Sequence, residues 1–111
     1  MDEDERTIIN RIIEDLPFPT AKSRIRKDIH LQPDLYHIYI GEALSIAWAV
    51  ILDRVSKQPD EHKELIMKAQ IAITNILLSA ETIGLLEVHV NGFRKMYRQF
   101  ACLVLYGSIK H

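Results

Sequence analysis

The side chains able to do chemistry are scattered along this chain. Histidines stand at His30, His37, His62, His89 and His111. No two have the i, i+4 spacing that turns two imidazoles toward one zinc ion. Asp34 and His37 are three apart, which is half of a carboxylate–histidine metal pair. A di-metal site inside a helical bundle needs two such pairs and two further inward glutamates. A second pair is absent from the sequence, so no metal and no cofactor are expected. Cys102 lies in the apolar run from Phe100 to Leu105, where a thiol is buried and inert. A reactive cysteine needs a base and an electropositive, partly open setting. Ser23, Ser45, Ser56, Ser79 and Ser108 have no Gly-x-Ser-x-Gly context, and no glycine-rich loop is present to cradle a phosphate. No catalytic residue is assigned, and the expectation is a protein that is not an enzyme.

Recognition is the alternative to catalysis. Lys22, Arg24, Arg26 and Lys27 concentrate positive charge between Thr20 and Leu31. Such a cluster can meet phosphates or an acidic protein, although most are only the solvated face of a helix. Asp28 and an acidic first segment lie close by in the sequence. Tyr36, Tyr39, Tyr97 and Tyr106 are spread over two long segments, and tyrosine is favoured at protein interfaces. Arg94 and Arg98 sit near the expected start of a helix, where cations oppose its dipole. The expected partner-binding residues are therefore Lys22, Arg24, Arg26, Lys27, Tyr36, Tyr39, Arg94, Tyr97 and Arg98. The leading expectation is a small regulatory or adaptor protein that binds another protein by helix packing, as an inhibitor or anti-activator of a regulator would. The alternative is a nucleic-acid-binding protein using the basic segment 20–31.

Composition bounds these readings. The chain has 111 residues, enough for one domain over 1–111. A formal net charge of -1 gives no overall field toward nucleic acid or a membrane surface. One cysteine cannot make an internal disulfide. The acidic start MDEDER has no apolar run behind it and does not read as a signal peptide, so a cytoplasmic protein is expected.

The positioning elements read as helices throughout. Ile8, Ile9, Ile12, Ile13 and Leu16 form one face of a first helix over 2–16, capped by Asp2 or Asp4. Pro17 and Pro19 stop it, with Phe18 between them as an anchor. Thr20 caps a short basic helix over 20–31. Asp34 starts a long helix over 34–57 and Asp60 caps another over 60–86. Asn91-Gly92 marks a turn before the last helix, 92–109. Strands at 36–40 and 86–90 are the minor alternative, because both stretches alternate weakly. The fold class is thus all-α, a small antiparallel bundle of four to five helices.

Three stretches, 43–52, 71–80 and 100–109, carry no charge. Each is too short for a membrane, which needs roughly 20 apolar residues. A helix apolar all round must be covered on several sides. One such helix can be central in a small domain, but three cannot. A homodimer through the long helices is therefore expected, with Leu44, Trp48, Ile51, Phe100, Leu103 and Val104 at its interface.

Overall fold

A computed structural model describes residues 3–31 and 36–108, with the backbone alone for 36–39. The described residues form five α-helices: α1 (Glu3–Glu14), α2 (Pro19–Leu31), α3 (Tyr36–Lys57), α4 (Lys63–Ser79) and α5 (Glu87–Tyr106). A 3-10 turn, Pro59–His62, joins α3 to α4. No strand occurs among the described residues: 36–40 is helical, and so is 87–90, with Leu86 extended just before α5. No helix among them is long and apolar enough to cross a membrane.

Local chemistry explains most of the boundaries. Three acids, Glu3, Asp4 and Glu5, occupy the first turn of α1 and complement its positive end. The helix turns aside after Glu14, and Leu16 folds back fully buried, its N–H donating to the Ile13 carbonyl at 3.0 Å. Pro19 occupies the first position of α2, where a missing N–H costs nothing. The Phe18 carbonyl accepts from the Lys22 N–H at 3.2 Å, so Thr20 lies inside the helix and does not cap it. Asp60 likewise sits inside the 3-10 turn. His62 precedes α4, and no side chain caps that end. Asp4 lies within α1, and Asp2 and Asp34, the remaining expected caps, lie outside the described residues.

The largest departure from the sequence reading is at the start of α5. Asn91 and Gly92 are interior helical positions, and the helix begins at Glu87. The reversal of the chain is made earlier, by Gly84 at φ 71, a left-handed conformation that favours glycine. Leu85 donates back to the Ala80 carbonyl at 2.9 Å, which closes the end of α4. Gly107, at φ 69, stops α5, and its N–H donates to the Leu103 carbonyl at 3.0 Å. Gly41 has a different role. A Cβ there would lie 2.6 Å from Cδ2 of His89 and 2.9 Å from Cδ2 of Leu85. Its missing side chain lets the start of α5 approach α3.

The helices close a ring. α1 packs on α2, α2 on α3, α3 on α5, α5 on α4, and α4 returns to α1. Direct contact between the consecutive helices α3 and α4 is slight, so α3 finds its cover in α2 and α5. Ile9, Ile12, Ile13, Leu44, Trp48, Ile73, Ile76, Phe93 and Phe100 fill the centre. Trp48 is 1% exposed and stands edge-on to Phe100, with ring centroids 6.3 Å apart at 89°. Such pairs add about 0.5–1.5 kcal/mol beyond the area they bury.

The indole N–H of Trp48 finds no acceptor among the described residues. An unpaired buried donor costs about 1–3 kcal/mol. Because the ring is buried, Trp48→Ala should destabilise the domain by roughly 3–5 kcal/mol, while Trp48→Phe, which keeps a ring and removes the orphan donor, should cost less than half as much. Urea unfolding of both variants checks this, and equal losses would show that ring volume does not govern the site.

Candidate protein-docking groove

An open apolar groove lies between α2 and α3. It arises because α3 carries no charge between Glu42 and Asp53 to mark an outer face. Leu44, Trp48, Ile51 and Val55 point inward and are buried. Ile46 and Val50, about half a turn away, are each 59% exposed. Between these two faces Ala43 and Ala47 are half-buried, and their small side chains leave a channel beside α2. α2 contributes Ala21, Ile25 and Ile29 at four-residue spacing. Phe18 closes one end and Leu31, 66% exposed, overhangs the other. The groove encloses about 780 Å³, with Thr20, Arg24 and Asp28 on the α2 rim and Glu42 on the α3 rim.

Electrostatics hold α2 in place more than they equip it for binding. Lys22 lies 3.7 Å from Glu14, and Arg26 donates to the other oxygen of the same carboxylate. The hydrogen bond from Arg26 first, and the charge of Lys22 second, hold the Glu14 carboxyl below its ordinary value of 4.5. Two of the four expected basic contacts are thus tied to α1. Arg24 lines the groove and Lys27 is exposed. The Arg54 guanidinium sits 5.1 Å above the Phe18 ring, a cation–π contact that fixes the α1–α2 corner against α3.

The other expected contacts do not join this surface. Arg94, Tyr97 and Arg98 ride on α5, which packs on α3 and α4, whereas α2 packs on α1 and α3. Arg94 donates to the Asn91 side chain at 3.2 Å. The side chains of Tyr36 and Tyr39 lie outside the described residues. The expected dimer contacts need a clear correction. Leu44, Trp48, Ile51, Phe100 and Leu103 are at most 3% exposed within one chain. They are the chain's own core and have no surface left to give a second copy. Only Val104, 41% exposed, still faces outward. Cys102 is half-buried and not fully enclosed. Asp34 and the His37 side chain lie outside the described residues, and among those described no three potential metal ligands cluster.

A second cleft, of about 700 Å³, lies between the α1–α2 corner and α4, with Leu16, Trp48 and Ala69 among its lining. Its lysines, Lys22 and Lys68, are already paired with Glu14 and Glu64. Asp15 and Glu61 add two further carboxylates to its lining.

Comparison with protein-family models, with curated proteins and with solved structures finds no match to this chain. The groove is read from its own geometry.

The Glu14 clasp has a definite pH signature. A carboxyl whose folded pKa is depressed stabilises the fold above its unfolded pKa. That contribution disappears as pH falls through the lower, folded value. The wild-type urea midpoint should therefore fall on acidification below pH 4.5, and Glu14→Gln should show a shallower fall at low salt. Superimposable acid limbs for the two proteins would remove the clasp from the account.

Proposed function

We propose that this chain is a small, non-enzymatic regulatory or adaptor protein that seats an amphipathic helix of a partner protein between α2 and α3. The observation that carries this reading is the pair Ile46 and Val50, exposed one turn apart above an apolar floor of Ile25, Ile40, Ala43 and Ala47. Recognition of this kind reads apolar anchors at i, i+3 or i+4, and i+7 on the incoming helix. The rim carries both signs, Arg24 and Asp28 on α2 and Glu42 on α3, which favours a partner helix with charges of both signs on its flanks. An inhibitor or anti-activator acts by such occupancy, covering a helix that its target needs elsewhere. A cytoplasmic setting and a homodimeric state belong to the same proposal. The nucleic-acid alternative is weakened, since Lys22 and Arg26 spend their charge on Glu14.

A photo-crosslinking residue at Thr20, on the groove rim, would capture the partner in the native host. Titration of the purified partner then tests the site. Ile46→Glu and Val50→Glu should each weaken binding at least tenfold, about 1.4 kcal/mol or more, with the helical circular dichroism unchanged. Arg24→Glu should change the salt dependence more than the affinity. A captured partner whose affinity ignores both apolar changes would sink the groove as its site. Retention of the chain on DNA, lost on changing Arg24 and Lys27 alone, would favour the nucleic-acid alternative.

A further inference from the structure

The cleft between the α1–α2 corner and α4 shares no lining residue with the groove. Its volume of about 700 Å³ lies in the range of small-molecule sites, about 300–1,000 Å³. Leu16, Trp48, Ala69 and Ala72 give it an apolar floor, each at most 4% exposed. The two alanines leave room that larger side chains would fill.

The fold leaves two features of this cleft unsatisfied. The first is the indole N–H of Trp48, a buried donor with no acceptor among the described residues. Buried polar groups in native proteins are hydrogen-bonded as a rule, so this donor calls for water or a ligand. A buried water needs two to four polar partners, and the floor residues Leu16, Ala69 and Ala72 offer no polar side chain. The second feature is a pair of carboxylates. Glu14 is held by Lys22 and Arg26, and Glu64 by Lys68. Asp15, on the α1–α2 corner, and Glu61, on the turn before α4, belong to the two walls and have no ion pair among the described residues. No three potential metal ligands cluster among those residues, so the two carboxylates suit an organic cation that bridges the walls.

We infer that the cleft binds a small primary amine whose methylene chain ends in a carbonyl. The ammonium sits between Asp15 and Glu61. The methylenes lie on Leu16, Ala69 and Ala72, and the carbonyl oxygen accepts from the Trp48 N–H. This order keeps the charge at the exposed walls and takes only a neutral acceptor to the dry floor, where an ion would lose its hydration. The inference does not rest on a partner helix occupying the groove.

Trp48 is the only tryptophan of the chain, so its fluorescence reports on the cleft directly. N-acetylcadaverine, with an ammonium at one end and an amide carbonyl at the other, is the probe. Titration should give a saturable shift in Trp48 emission. Asp15→Asn combined with Glu61→Gln, both at exposed positions, should keep the helical circular dichroism and weaken binding about tenfold or more. N-acetyl-6-aminohexanoate, which carries a carboxylate in place of the ammonium, should not bind. Hexylamine, which lacks the carbonyl, should bind roughly fivefold more weakly than N-acetylcadaverine, and calorimetry on Trp48→Phe should find the two amines equal. The carboxylate arm decides the matter even if Trp48→Phe fails to fold. No saturable shift at millimolar probe, full affinity in the folded carboxylate variant, equal binding of the anionic probe, or a carbonyl advantage that survives in Trp48→Phe would each overturn the site.

Discussion

The edge-to-face contact of Trp48 with Phe100 is the point on which the ring of helices closes. α3 brings the indole and α5 the phenyl ring, and these two helices belong to different parts of the chain. Their approach depends on Gly41, where His89 and Leu85 come closer than a Cβ would allow. α4 is held against α5 by the tight turn at Gly84, and α1 and α2 fold over the remaining side through Leu16, Ile25 and the Glu14 clasp. Such a ring covers one side of each helix. The outer sides of α3 and α4 consequently keep apolar residues that the domain itself has no means of burying.

That division shows what the sequence reveals and what it hides. The spacing of Ile9, Ile12 and Ile13 reads directly as one buried helical face, and Pro17 and Pro19 mark the corner after it. The all-helical class follows from such periodicities. In the uncharged stretches the direction of the core is not written, because burial and exposure cost the chain no visible charge. Leu44 and Ile46 look equivalent in sequence. One is fully buried and the other is more than half exposed. An uncharged run therefore means that no charge is placed outward, which is a weaker statement than burial all round. That difference is why five core residues read as dimer contacts.

Glycine shows the same limit at the level of the turns. Asn91-Gly92 carries the stronger local turn signal, yet the packing of Phe93 and Met96 holds α5 helical through it. Gly84 has a weaker signature and does the work of reversing the chain. The basic residues of α2 were visible in the sequence, but their partner Glu14 lies on another helix. Only the folded chain shows that Lys22 and Arg26 are engaged with it. The groove beside them is built from Phe18, Ala43, Ala47, Ile46 and Val50, residue types that in sequence are indistinguishable from core.

The central claim is that α3 divides sharply into a face spent on the fold and a face left for recognition. Val50 and Ile51 are adjacent residues on opposite sides of that division, 59% and 1% exposed. The most direct measurement is urea unfolding of Val50→Asp beside Ile51→Asp in the full chain. An unpaired charge in the core costs several kcal/mol, while a surface change lies near 0.5 kcal/mol. The account predicts a folded Val50→Asp within about 1 kcal/mol of wild type and an Ile51→Asp that loses roughly 4 kcal/mol or does not fold. Equal destabilisation by the two, or a greater loss for Val50→Asp, would contradict it.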